Sequence, residues 1–282
     1  MVHFFDFPRE VRNFVYDHYV TIKGGYILDF ASDTNRGAGN EPLDLAFIHT
    51  CKKAASDLDG LPLALNALTF STVYLEEHRS TAGRFNLMVE EQLKKAARPG
   101  LQVLYRPRGF GQSRPNPWAV SSREWLEAAI SNSDRWFKSG INSRWSFDRP
   151  GYQISKIKHR YSAAAVAIRF LESLSHGARM EIRRIVLNED WKAVGYAECH
   201  GVGLIPYCLE NPLLFVDRRV DMWRTVFQTT TIFEFKDPVM PPKDDDPLPA
   251  HQISYRAAVW IAEAVELAYA GMPRGCLRVR CS

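Results

Sequence analysis

The chain has 282 residues, 46% of them hydrophobic and 24% charged, with a net charge of +4. These values exclude wholesale disorder and allow either one large core or a small module joined to a larger one. No apolar run approaches the ~20 residues of a membrane span and no signal-peptide pattern precedes His3, so no membrane association is expected. Five scattered cysteines, Cys51, Cys199, Cys208, Cys276 and Cys281, form no disulfide framework, and no Asn-x-Ser/Thr site occurs; that usage fits a reducing compartment, cytoplasmic or nuclear.

The segment Phe4-Phe5-Asp6-Phe7-Pro8-Arg9-Glu10-Val11-Arg12-Asn13-Phe14-Val15-Tyr16 runs an apolar cluster into a proline-opened helix. Proline is tolerated in a first helical turn because its missing N–H has no intrahelical partner there, and Asp6 is placed to cap that end. Phe7, Val11 and Val15 recur on one helical face, with Phe14 and Tyr19 beside it. Residues 21 to 40 read as a long polar link. Asn40-Glu41-Pro42 then opens a second helix carrying Leu45, Ile48, Cys51, Ala55 and Leu58 at a spacing of three to four, stopped by Gly60 and Pro62, with Cys51 packed in a core. Two short amphipathic helices cannot bury both of their faces alone. They need each other, the Leu61-Pro62-Leu63-Ala64-Leu65 turn, and a partner.

Together with Thr50-Cys51-Lys52-Lys53-Ala54-Ala55 and Asn66-Ala67-Leu68-Thr69-Phe70, the Phe4 to Tyr16 segment resembles the fungal F-box-like proteins with an E-x-R motif, here Glu10-Val11-Arg12. The resemblance covers about a quarter of the chain. Phe7 stands where the family usually has leucine before proline, and Lys52-Lys53 follow Cys51 in place of a second E-x-R. In the wider F-box family this helix entry and the helix after it dock onto a Skp-type adaptor of a cullin ubiquitin ligase, while the rest of the chain receives a protein substrate. The resemblance therefore implies adaptor docking through Phe7, Pro8, Glu10, Val11, Val15, Leu45 and Ile48, with no catalysis and no cofactor of the chain's own.

Farther along, Leu68 to Tyr74 alternates as a strand, and Arg84 to Ala97 reads as a helix ended by Arg98-Pro99-Gly100. A loop rich in Pro and Gly follows, with a short strand at Gln102 to Tyr105 and a helix opened by the capping box of Ser121 and Glu124. From Tyr161 the signals alternate: helix to Leu174, strand Ile182 to Leu187, brief helix Gly201 to Glu210 and strand Leu213 to Val220. After a strand at Thr230 to Phe235 and an acidic Pro-rich loop come a long helix from Ile253 to Ala270 and a last strand near Leu277 to Val279. The expected architecture is α+β or α/β. An F-box-like helical module (1–67) and a connecting region with basic loops (68–160) precede a mixed domain (161–282) of helices and short, mostly parallel strands, distantly like leucine-rich repeats. Ile182 to Asp190 also resembles the C-terminal part of the same fungal proteins.

Charge is unevenly spread. Between Lys94 and Arg160 there are 14 Lys/Arg against four acids. Arg106, Arg108 and Arg114 interleave with Tyr105, Phe110 and Trp118, and Lys156, Lys158 and Arg160 follow, so this stretch is the candidate basic and aromatic surface for single-stranded nucleic acid or an acidic protein. A solvated loop without ligand is the plainer alternative. The G-x-G triplets at Gly37 and Gly109 lack the third glycine of a phosphate-binding loop, and no G-x-S-x-G elbow occurs. Cys199, His200, Cys208 and His176 lack paired zinc spacing and read as core or locally bonded groups; Asp244-Asp245-Asp246 reads as a solvated loop, and Trp191, Trp223 and Trp260 as core. The leading expectation is a protein-recognition subunit rather than an enzyme. Nucleic-acid binding and an interaction scaffold without ubiquitin chemistry are the alternatives.

Overall fold

A computed structural model describes residues 3–78, 158–227 and 250–282, together with Ala82, Asn86 and Trp118. Helices and a mostly parallel sheet make a mixed α/β fold. The α-helices are α1 (Arg9–Val20), α2 (Lys52–Leu58), α3 (Leu61–Leu65), α4 (Ala163–Ser173), α5 (His176–Glu181), α6 (Ile205–Glu210) and α7 (Ala250–Tyr269). The strands are β1 (Tyr26–Asp29), β2 (Thr34–Gly37), β3 (Leu68–Ser71), β4 (Arg184–Glu189), β5 (Phe215–Val220) and β6 (Leu277–Cys281). They form one sheet in the order β2-β1-β3-β4-β5-β6, antiparallel only between β1 and β2. Among the described residues no helix is long and apolar enough to cross a membrane.

One sheet face carries the core. Leu68, Phe70, Ile185, Leu187 and Val216 are fully buried against Ala164, Ala167, Ile168 and Leu171 of α4, Leu204, Ile205 and Cys208 around α6, and Leu267 of α7. Each of the larger side chains, Leu, Ile, Val or Phe, contributes roughly 1.5–3 kcal/mol on burial. Helix α4 starts where Ser162 Oγ accepts the Ala165 N–H at 3.0 Å, and its run of alanines lets it lie close on β3 and β4. Parallel neighbours require crossovers, and α4, α6 and α7 supply them for β3 to β4, β4 to β5 and β5 to β6.

Residues 21 to 40 are not a polar link: they form the β1-β2 hairpin, which joins the common sheet through β3. A backbone device at Gly25 makes that pairing possible. Its φ of +75° lies in the left-handed region, and a Cβ there would stand 2.3 Å from the Ala67 carbonyl oxygen, which accepts the next N–H, Tyr26, at 2.8 Å. Buried Asn66 completes the junction: its Oδ1 accepts the Ile22 N–H at 2.8 Å, while Nδ2 donates to the Val20 and Pro62 carbonyls at 2.8 and 2.9 Å and to the Tyr26 hydroxyl at 3.2 Å.

The second expected helix is also different. A 3-10 turn over Ala46–His49 is separated from α2 by Cys51, whose backbone is fully extended and whose exposed Sγ accepts the Ala54 N–H at 3.4 Å. Cys51 is thus a helix cap rather than a core residue. Gly60, with φ of +72°, ends α2 as expected, but Pro62 opens α3 instead of stopping its predecessor. The strands at Leu68, Ile182 and Leu213 and the helices at Tyr161, Gly201 and Ile253 occur within a few residues of expectation. The helices expected at Arg84 and Ser121, the strands at Gln102 and Thr230 and the acidic loop lie outside the described residues.

A buried ion pair locks the layers together. Glu189 ends β4 with both carboxylate oxygens engaged: Oε2 accepts the Ala163 N–H at 3.0 Å, and Oε1 accepts Arg218 Nη2 at 2.9 Å, Arg218 Nε at 3.2 Å and the Ala164 N–H at 3.3 Å. Arg218 of β5 also donates to the Ala197 and Glu198 carbonyls and lies 4.8 Å from the Trp260 ring of α7. Both side chains are almost sealed from water. Removing one partner strands the other charge in a medium of low polarity. Glu189→Gln is therefore expected to lower the unfolding free energy by about 3–5 kcal/mol, and Glu189→Gln with Arg218→Met to recover part of that loss, as read from urea titrations.

Candidate functional site

The first helix is held by its polar side chains and leaves its apolar ones outside. Arg12, Tyr16 and Val20 recur every four residues on the buried face. Arg12 donates through Nε and Nη2 to Asp57 Oδ2 of α2, both at 2.9 Å, and through Nη1 to the Phe7 carbonyl at 2.7 Å; Tyr16 donates to the same Asp57 oxygen at 3.2 Å. Desolvation raises the Asp57 carboxyl, but the bonds from Arg12 and Tyr16 outweigh it and hold the group below its ordinary range. Around this polar clasp Phe4, Tyr16, Tyr19 and Phe47 stack at ring separations of 5.6 to 5.9 Å, closed by Val20, Leu58 and Leu61.

The opposite side of α1 is uncovered. Val11 is 47% exposed, Val15 44% and Phe14 79%, a stripe at the spacing of successive turns of α1. Phe7, 43% exposed, lies in extended backbone before Pro8 and so outside the helix on whose face it was expected. Pro8 and Glu10 are exposed beside it. Pro8 is the residue that flanks the helix rather than part of its first turn, and the Val11 and Arg12 N–H groups reach its carbonyl. Asp6 does not cap α1; its carboxylate accepts the His3 N–H at 2.9 Å and closes the preceding 3-10 turn. Leu45 is exposed as well, whereas Ile48 is partly buried against the Tyr16 cluster and supports the fold. Phe14, the most exposed member of the stripe, belongs to the surface although the resemblance did not assign it.

The candidate basic surface divides. Arg106, Arg108, Arg114 and Lys156 lie outside the described residues. Trp118 packs on the main core, close enough to Gly203 that a Cβ there would meet its ring at 2.8 Å, so it is not a free stacking platform. Lys158 and Arg160 enter a ladder of alternating cations and rings beyond the carboxyl ends of β3, β4 and β5. Lys158 Nζ lies 5.4 Å and the Arg160 guanidinium 5.9 Å from the Tyr74 ring, Arg160 lies 4.5 Å from Trp191, and Arg224 lies 5.1 Å from Trp191 on its other contact. Such contacts contribute roughly 0.5–2 kcal/mol each. Trp191 and Trp260 are half-buried under arginines, and Trp223 is 75% exposed, so none of the three is a plain core residue.

Two polar clusters have a structural role. His200 accepts or donates at Nδ1 with Ser162 Oγ at 2.6 Å and at Nε2 with the Gly195 carbonyl at 2.8 Å. The carbonyl can only accept, which puts a proton on Nε2; in a neutral ring Ser162 is then the donor to Nδ1. Ser162 also takes the Ala165 N–H, and both side chains are buried, so this is a fixed strut rather than a nucleophile and base. His176 bonds Glu210 at 2.5 Å beside Arg179, whose bond, joined by that of His176, lowers the Glu210 carboxyl to about 2. Among the described residues no three His, Cys, Asp or Glu side chains gather as a metal site.

Comparison with protein-family models, with curated proteins and with solved structures finds no match to this chain.

Near Arg218, burial and repulsion from Glu198 and Glu266 raise the Glu263 carboxyl to about 7, against the attraction of Arg218. The folded state therefore holds this proton more tightly than the unfolded chain, so its stabilising contribution is full below pH 4.5 and is lost as the pH rises through 7. Glu263→Gln is expected to flatten that loss, leaving stability near pH 4.5 close to wild type and raising it at pH 8 by on the order of 3 kcal/mol in urea titrations.

Proposed function

We propose that the chain is an F-box-like substrate receptor that docks onto a Skp-type adaptor through the outer face of α1. The observation that carries this reading is the stripe of Phe7, Val11, Phe14 and Val15, left in solvent while Arg12, Tyr16 and Val20 hold the helix from within. Large apolar groups at successive turns of one fixed helix suit insertion into a partner's hydrophobic groove. Pro8, Glu10 and Leu45 flank the surface, and Ile48 acts from behind by packing on Tyr16's cluster. The E-x-R pattern gains a physical meaning here, since Arg12 fastens α1 to α2 and Glu10 stays exposed for a partner.

In this reading the remainder of the chain presents the substrate-receiving surface. Consecutive parallel strands β3 to β6, each joined to the next through helices on one sheet face, have the sequential order of a short, irregular array of strand and helix units. Ubiquitin chemistry belongs to the assembled ligase, and the chain's contribution is recognition. An interaction scaffold without ubiquitin chemistry would use the same exposed stripe with a different partner, and the identity of that partner separates the two.

Val11→Asp with Val15→Asp changes two exposed side chains and so preserves the fold, which a thermal melt verifies. Wild-type protein is expected to bind a purified fungal Skp-type adaptor in calorimetry, and the double variant to bind roughly 100-fold more weakly, since each valine forfeits a buried contact and each new carboxylate must be desolvated. Absence of wild-type binding, or equal binding by the variant, overturns the adaptor reading.

A further inference from the structure

We propose that the sheet face opposite the helices, at its β4-β6 end, binds single-stranded nucleic acid, with Arg184, Arg219, Arg278 and Arg280 holding phosphates and Trp223 stacking on a base. The inference does not depend on adaptor docking, which uses the other end of the molecule's sequence and an apolar surface.

Strand register gathers these arginines. Arg184 stands beside Phe215, Asp217 beside Arg278, and Arg219 beside Arg280, all on the face turned away from Ile185, Leu187 and Val216. Neighbouring strands lie about 4.8 Å apart and alternate residues along a strand about 6.7 Å apart, so the four side chains rise from a grid of that spacing. Among the described residues the single acid between these arginines is Asp217, fully buried. Arg280 grips it twice, Nε to Oδ1 at 2.8 Å and Nη2 to Oδ2 at 2.7 Å, Arg219 approaches at 3.2 Å and Arg184 at 3.9 Å. Arg278 instead lies 5.5 Å from the Phe215 ring.

One carboxylate among four guanidiniums leaves an excess of three positive charges. The side chains of Arg184, Arg219 and Arg280 are still 47–50% exposed, so Asp217 anchors them from below and leaves outward N–H groups for another acceptor. The arrangement selects among anions. The point on which several arginines converge is already filled by Asp217, so a single phosphate has no central seat, whereas a chain of phosphates can meet the guanidiniums one by one around the rim. All four cations are arginines, whose planar forks match phosphate oxygens better than an ammonium does.

Trp223 supplies the second half of the site. Just beyond β5, Asp221 accepts the Trp223 and Arg224 N–H groups, both at 2.9 Å, and the Met222 N–H donates to the Ser282 carbonyl at 3.0 Å, which ties this turn to the end of β6 two residues past Arg280. The Trp223 ring leans on Phe227 with centroids 5.5 Å apart, yet 75% of the residue is in solvent. An exposed indole on the turn that follows β5 and is tied to the end of β6, on the same two strands as three of the arginines, supplies stacking where they supply charge, the combination that grips unpaired bases and their backbone; a duplex, with its bases stacked inside, offers the indole nothing.

The test is fluorescence anisotropy with a labelled 12-nucleotide oligo(dT), the same strand in a duplex, and labelled polyglutamate, each across a potassium chloride series. Wild-type protein is expected to bind the single strand more tightly than the duplex or polyglutamate. Arg184→Gln with Arg278→Gln leaves the short Arg280 and Arg219 contacts to Asp217 in place; its slope of log affinity against log salt should fall by about 1.4, from about 0.7 for each lost phosphate contact. Trp223→Ala should weaken single-strand binding about tenfold. The Val11→Asp/Val15→Asp protein should bind the strand as wild type does, which keeps this proposal separable from adaptor docking. No wild-type binding at low salt, equal affinity for duplex or polyglutamate, or an unchanged slope in the arginine variant overturns it.

Discussion

The contact between Glu189 and Arg218 is the constraint around which the described fold is organised. Burying two charges costs several kcal/mol per ion unless nearly every donor and acceptor is met, so their neighbours are not free to move. Glu189 needs the first N–H groups of α4, and Arg218 needs the carbonyls of Ala197 and Glu198 in the turn before α6. Trp260 of α7 closes over the guanidinium. One pair thereby sets the positions of two central strands, the start of one crossover helix, the entry to a second and the middle of a third. Hydrophobic burial drives the layers together without specifying their registration; this network specifies it.

A smaller polar clasp does the same at the amino end. Arg12 and Tyr16, both bonded to Asp57 of α2, take the buried positions on α1 that a purely hydrophobic reading would give to Val11 and Val15. A helix of twelve residues has one face to bury, and using it for Arg12, Tyr16 and Val20 turns Val11, Phe14 and Val15 outward. Left in water they contribute nothing to folding. Under the proposed docking a second molecule would supply the missing face, and the clasp, by keeping them aligned beforehand, would reduce the ordering cost of association.

The legible parts of the sequence were those in which one physical signal was strong. Alternation marked β3, a short β-branched run marked β4, and the spacing of Ala165, Ile168 and Leu171 marked α4; Val11 and Val15 do share an outward side of α1, whereas Phe7, grouped with them, precedes the helix. Three things escaped. Thr34, Asn35 and Arg36 are polar because β2 is an edge strand, and polarity at an edge looks like a loop. Cys51 interrupts a helical pattern because its sulfur caps the following helix, a use that periodicity does not register. Periodicity did not single out Arg218 and Glu189 as a pair, because they lie on different strands and only the fold brings together the partners that make their burial tolerable. The same limit hid the arginine face: Arg184, Arg219 and Arg280 are separated by up to 96 positions and become neighbours only through parallel pairing.

That pairing also explains why one strand can carry both devices. β5 alternates, so Arg218 points into the helical layer toward Glu189 while Asp217 and Arg219 point to the other face. On the helical side the positive charge is neutralised and sealed; on the far side a buried negative charge anchors an excess of exposed positive charge. Desolvation raises the Asp217 carboxyl, but the bonds from Arg280 and Arg219 prevail and keep it below its ordinary range, so the anchor is ionised at neutral pH. Without a carboxylate at 217 the surrounding guanidiniums would repel one another uncompensated. The carboxylate lets like charges remain close on a rigid strand framework, and that closeness is what a surface needs if it is to meet a regularly charged partner.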